Sequence, residues 1–162
     1  MREPPANKLD PKIRIAWRIS DGGVATLVFA LVAAPLVLAL VWGAGSWAAV
    51  WLGIAIAAYA VALVVCLAVL PPIRYARWRY ELSPEYLDIA CGIIWRQRTI
   101  IPFIRVQNTD TRQGPILRAL GLASVTVSTA SGEHEIPGLS VEEAARLRDT
   151  AAEFARLARE DV

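Results

Sequence analysis

A single histidine, His134, is all the imidazole that this chain of 162 residues contains. With no second His, no paired Cys and no companion nucleophile it completes neither a metal site nor a known catalytic constellation. Flanked by Glu133 and Glu135, it reads as a solvated surface residue. The two cysteines, Cys66 and Cys91, fit neither a disulfide framework nor a metal-ligand spacing, and both read as small apolar fillers. No glycine-rich phosphate loop follows a strand pattern, so no cofactor is expected. A formal net charge of +2 is too slight for a phosphate-binding surface, which excludes nucleic acid as the expected partner.

The most informative absence is of charge. No Asp, Glu, Lys, Arg or His occurs from residue 22 to residue 73, a stretch far longer than a soluble core element. Val24 to Trp42 is nineteen residues long, which at about 1.5 Å per residue nearly matches a hydrocarbon core of about 30 Å. Gly43 to Ser46 follows as a turn, and Trp47 to Leu70 is long enough to return with some tilt. A secretory signal is the competing reading, but the apolar run is too long for one and a second span follows at once. Lacking ionisable residues, the spans carry no sign of an ion pathway or proton relay. Ala48, Ala55, Ala58 and Ala62 are small enough to pack the helices closely.

Lys8, Lys12, Arg14 and Arg18 precede the first span, Arg74, Arg77 and Arg79 follow the second, and the turn is uncharged. Both termini are therefore expected in the cytoplasm, with the protein twice across the cell (cytoplasmic) membrane. Trp42, Trp47 and Trp51 are expected at the outer interface, and Trp17, Tyr75 and Trp78 at the inner one. The organisation predicted is an N-terminal segment at 1–21, a transmembrane helical hairpin at 22–71 and a cytoplasmic domain at 72–162. Within that domain residues 74 to 118 hold eight arginines against four acids, and residues 133 to 161 hold eight acids against four arginines.

Beyond Pro71-Pro72, which should end the second helix, the hydrophobic period falls to two. Ala76, Trp78, Tyr80 and Leu82 alternate with Arg77, Arg79 and Glu81, as in a half-buried strand. Ser83-Pro84-Glu85 is turn chemistry; "YLDIAC" and "WRQRTII" continue as two more strands of an antiparallel meander. Pro102 is expected at the start of a strand in which Ile104 and Val106 point inward and Arg105 and Gln107 outward. "PILRALG" predicts a short helical turn with Pro first and Gly just past its end. "LASVTVSTA" and "EHEIPG" predict strands joined at Ser131-Gly132. Ser140 and Glu143 have capping-box spacing. They open a helix whose apolar stripe is Val141, Ala144, Leu147, Ala151, Phe154 and Leu157.

"IPFIRVQ", "QGPILRALGLASVTVSTASG" and "EIPGLSVEEA", in that order and spacing, resemble the bacterial pleckstrin-homology (PH)-like domain family, of the membrane-anchored YdbS-like kind. The resemblance covers about residues 72 to 158, and the hairpin also looks like the family's arrangement. It implies an α+β fold, in which the hairpin is followed by a seven-strand PH-like antiparallel β-barrel or bent sandwich capped by the C-terminal helix. It implies no catalysis, and it implies action beside another membrane protein that bears PH-like domains. Asn108-Thr109, more polar than the family tends to be there, and a missing second glycine at "TASG" put local edge geometry in doubt.

Two candidate surfaces follow. The polar run Arg105, Gln107, Asn108, Thr109, Thr111 and Gln113 is a candidate protein-binding edge, for that other membrane protein or for self-association. Arg74, Arg77, Arg79, Arg96 and Arg98 are candidate contacts with an anionic bilayer surface, each worth about 1 kcal/mol there. The expected function is a non-catalytic, membrane-anchored adaptor or scaffold module in a bacterial membrane complex. The alternatives are an anionic-lipid-sensing or membrane-surface-binding domain, and a small enzyme.

Overall fold

The computed structural model describes residues 5–43, 45–93 and 95–160. Ala44 in the expected turn, Ile94 and the two ends of the chain lie outside them. The chain divides into two compact units, Trp17–Pro72 and Met1–Ala16 with Ile73–Val162.

The first unit is the helical hairpin. Helix α1 spans Ile13–Val41 and α2 spans Ser46–Val64; α1 and the continuous helical run Ser46–Arg77 that α2 begins are long and apolar enough to cross a membrane. α1 begins at Ile13, well ahead of the boundary read at residue 22, and runs through Pro35 without a break. The helices meet at Tyr59, whose ring stacks on Phe29 at 4.4 Å and whose hydroxyl lies 2.8 Å from the Thr26 hydroxyl. Thr26 also bonds the Gly22 carbonyl one turn back, so this polar pair is satisfied without water, as an apolar medium requires.

Pro71-Pro72 does not end the second helix. The chain passes through a π-helical turn, Val65–Val69, into α3, Leu70–Arg77. The wider turn lets the two prolines fall in the first turn of a new α segment, where a missing N–H removes little. The strand expected from Ala76 is correspondingly shorter.

The second unit holds six strands among the described residues, where the resemblance implied seven. β1 (Arg79–Leu82), β2 (Tyr86–Cys91) and β3 (Gln97–Pro102) form one antiparallel meander; β4 (Val106–Arg112), β5 (Leu122–Thr129) and β6 (Gly132–Ser140) form a second. This is the expected α+β, PH-like domain, built as two separate three-stranded sheets. Between them Phe103–Arg105 is a 3-10 turn, so Pro102 closes β3 instead of opening β4. The three-residue period places Phe103 and Val106 on one face, both buried, and sends Ile104 out at 50% exposure. The inward role expected of Ile104 therefore belongs to Phe103.

β5 is the centre of its sheet and is buried on both faces from Leu122 to Thr126 and on to Val127. Helix α4 (Pro115–Ala119) is the expected short turn. Helix α5 (Val141–Glu160) starts at the expected capping box: the Glu143 N–H donates to the Ser140 hydroxyl at 3.2 Å, and the Ser140 N–H to the Glu143 carboxylate at 3.3 Å. It packs across β4, β5, β6 and the 3-10 turn through Ala144, Leu147, Ala151 and Ala155, with Phe154 tilted against Phe103 at 5.5 Å. Val141 and Leu157, read as part of the stripe, remain 49% and 42% exposed. They sit at the two ends of the helix, beyond the sheet it covers.

Residues ahead of α1 join this unit. Asn7 exchanges both backbone hydrogen bonds with Tyr80 of β1, at 3.0 and 3.1 Å, and the Asp10 N–H donates to the Gly138 carbonyl at 2.9 Å. Leu9 and Ile13 are buried. The Tyr75 hydroxyl donates to the Leu9 carbonyl at 3.2 Å, and the Arg14 guanidinium lies 5.0 Å from the centre of the Tyr75 ring. The N-terminal segment thus touches both sheets, with one isolated bridge to β1 and one backbone bond to β6. Trp78, expected at a membrane interface, is buried, as is Trp17.

Candidate functional site

Among the described strands β4 lies at an edge, paired only to β5. Register shifts between Val106, opposite Thr129, and Asn108, opposite Ser128. Gln107 is the extra residue of that bulge, and a bulge breaks alternation. Gln107 and Asn108 are consequently both exposed, followed by Asp110, Thr111 and Arg112. That is why the polar run is longer than strict alternation permits. Beside it lies a groove of about 420 Å³ between the start of β4 and α5, lined by Val106, Gln107, Asn108, Thr109, Ala152 and Arg156.

The polar groups of the run are partly committed to one another. The Asn108 amide donates to the Asp110 carboxylate at 2.8 Å, and its carbonyl oxygen accepts from the Thr109 N–H at 2.9 Å. Gln113 donates to the Leu122 carbonyl at 2.8 Å, bracing the α4 turn. Arg105 lies in the 3-10 turn ahead of the strand. Of the residues singled out from sequence, Gln107, Asn108 and Thr111 share the exposed strand, Arg105 stands at its entrance and Gln113 beyond its end.

The arginines fall into a second place. Arg77, Arg79, Arg96 and Arg98 line a groove of about 530 Å³ with Ala90, Cys91 and Gly92; Arg74, one turn back in α3, acts on it through its charge on Cys91. Their roles differ. Arg98 spends its guanidinium on Asp88, with Nη2 2.6 Å from Oδ2 and Nε 3.1 and 3.0 Å from the two oxygens. Asp88 is 2% exposed, and this diagonal pair across β2 and β3 gives a buried carboxylate its partner. The same ion pair raises the Arg98 pKa further. Arg98 is thus a structural residue first. Arg77 donates to the Ile93 carbonyl, holding the β2–β3 loop. Burial pushes the Cys91 thiol up, and the charge of Arg74 offsets this in part, so Cys91 remains a protonated filler at neutral pH.

His134 lies in β6 opposite Val127, between exposed Glu133 and exposed Glu135, and is itself partly exposed. Among the described residues, no group of three or more His, Cys, Asp or Glu side chains gathers as metal ligands would. Two features had not been singled out from sequence. Asp88 sits in a strand where alternation predicts a wet position, so only pairing reveals its burial. Trp95 is 86% exposed in the β2–β3 loop; its place between Gly92 and Arg96 was the available signal.

A family model described as "Bacterial PH domain" matches residues 19–155, a span that takes in the hairpin as well as the sheets. The UPF0699 transmembrane protein YdbS of Bacillus subtilis (strain 168) is 37% identical over 167 aligned positions, covering all of both chains. No solved structure matches significantly.

Proposed function

The chain belongs to the bacterial PH domain family, and on that premise we propose that it is a membrane-anchored, non-catalytic interaction module, an adaptor or scaffold within a bacterial membrane complex. Its hairpin crosses the cytoplasmic membrane twice and leaves both termini in the cytoplasm. The sheet domain engages another membrane protein with PH-like domains, or a second copy of itself, along the outer edge of β4. The observation that carries this reading is the bulged edge strand: among the described strands it pairs with β5 alone, the exposed polar side chains of Gln107, Asn108 and Thr111 lie along it, and α5 forms one wall of the groove at its start. An extended segment added to a free edge gains main-chain hydrogen bonds and takes specificity from alternate side chains.

The test is co-purification of the full chain from detergent-solubilised membranes. Arg105→Ala with Gln107→Ala removes two exposed side chains and should change stability by only about 0.5 kcal/mol. The doubly substituted protein is expected to remain folded and to lose its partner. Retention of the partner would make the run the wet side of an ordinary strand.

Topology is checked separately by cysteine labelling, with Cys66 and Cys91 replaced by Ala. Ser46→Cys is expected to react with an impermeant maleimide in intact cells, and Glu142→Cys only after permeabilisation. The opposite pattern inverts the hairpin and removes the cytoplasmic placement of the domain.

A further inference from the structure

Trp95 is the most exposed large apolar side chain among the described residues. An exposed tryptophan loses hydrophobic stabilisation unless something else covers it, and indole is favoured where an apolar body meets a polar surface. The loop that carries it is held in shape. Gly92 adopts φ 112°, and a side chain there would collide with the Trp95 carbonyl. From the other side Arg77 donates to the Ile93 carbonyl. The ring is therefore presented by a constrained turn.

The groove beside this loop is basic. Arg98 is engaged by Asp88, and Arg77 by the loop backbone. Arg96 is exposed, and Arg79 makes only a long 3.4 Å contact to the neighbouring Trp78 carbonyl. Asp88, the acid that lies among them, is buried and already neutralised. Two guanidinium groups thus remain to face an anion, and phosphate matches their planar fork. Along the chain, only the seven residues from Pro71 to Arg77 separate Leu70, the end of the apolar run, from Trp78 and Arg79.

We propose that the β2–β3 loop is a second membrane contact, distinct from the hairpin: Trp95 enters the interfacial layer while Arg79 and Arg96 hold the phosphate of an anionic phospholipid. Tryptophan and arginine are a matched pair for this purpose, since one takes the apolar boundary and the other the headgroup charge above it. A soluble acidic protein would satisfy the charge but would have to bring an apolar pocket of its own for the indole, whereas the bilayer interface supplies charge and apolar layer together. The contact uses nothing on β4, so it stands or falls apart from the partner edge.

Hydrogen exchange on the full chain in lipid nanodiscs tests this, comparing phosphatidylcholine alone with phosphatidylcholine mixed with phosphatidylglycerol. Amides in the β2–β3 loop should exchange more slowly in the anionic bilayer at low salt, and the difference should fade at high salt as charges are screened. Each basic residue near an anionic surface strengthens binding roughly fivefold, so Arg79→Gln with Arg96→Gln should reduce the protection by about thirtyfold. Trp95→Ala should reduce it in both bilayers. Unchanged exchange in β5 confirms that the variants remain folded, and Arg96→Gln alone, which alters one exposed side chain, serves if the pair does not. Equal loop exchange in the two bilayers overturns the proposal. So does protection by dissolved glycerol phosphate that is as strong over neutral lipid, because the groove would then be a soluble-anion site.

Discussion

Val106→Asp is expected to unfold the sheet domain. Val106 is 2% exposed at the first position of β4, on the same side of the chain as Phe103, where α5 covers the sheet. A carboxylate placed there must leave water for the packed layer beneath α5; Arg156 lines the neighbouring groove, but a buried charge is costly even beside a partner, and one left unpaired costs several kcal/mol against a typical total stability of about 5 to 15 kcal/mol. Val106→Thr keeps the shape and adds one hydroxyl, for about 1 to 3 kcal/mol, and should stay folded at a lower melting temperature. Thermal unfolding of the two proteins in detergent, followed by near-ultraviolet circular dichroism, separates the cases. A cooperative transition in Val106→Asp at the wild-type temperature would mean that Val106 does not face the core.

Gly138→Ala should destabilise nearly as much, through the N-terminal segment. Gly138 has φ 63°, and a Cβ there would run into the Ile13 side chain. The left-handed backbone costs a non-glycine residue about 1 to 2 kcal/mol, and overpacking adds about 1 to 3 kcal/mol. The total, about 2 to 5 kcal/mol, is a large share of a domain's stability. The second contribution depends on Ile13 and the first does not. In an Ile13→Ala background the cost of Gly138→Ala should therefore shrink toward the backbone contribution alone, a coupling of at least about 1 kcal/mol in a double-mutant cycle. Equal costs in both backgrounds would show that Ile13 is not seated over Gly138.

That contact joins residues too far apart in the chain for local pattern to connect them. Ile13 belongs to a segment read as separate from the domain, because Asn7, Leu9 and Ile13 lie more than sixty residues before Tyr80 and Gly138, and no local periodicity announces a partner so distant. The capping box at Ser140 and the helical turn at Pro115 were legible for the opposite reason: each is a short-range device whose donor and acceptor lie within three or four residues.

The candidate surfaces divide in the same way. The polar run from Gln107 was visible as composition, and so were the arginines. What composition cannot convey is commitment. Arg98 and Arg96 look alike in "WRQRT", yet one is tied to a buried carboxylate by strand register and the other stands in solvent. Ile104 and Phe103 are both apolar, and only the 3-10 turn decides which faces the core.

By itself, then, the sequence determined the two apolar helices and the strand-rich half with its closing helix, because hydrophobic periodicity, turn residues and the absence of charge are properties of neighbours along the chain; the family rests instead on likeness of particular motifs such as "IPFIRVQ" and "EIPGLSVEEA". Only the tertiary structure decided that the strands divide into two sheets, that Asn7 of the N-terminal segment pairs with Tyr80, that Asp88 is buried beside Arg98, and that β4 lies at the edge of its sheet and bulges at Gln107. Each of these depends on register or on contacts between residues far apart in sequence, and their energies arise only when burial removes water from both partners.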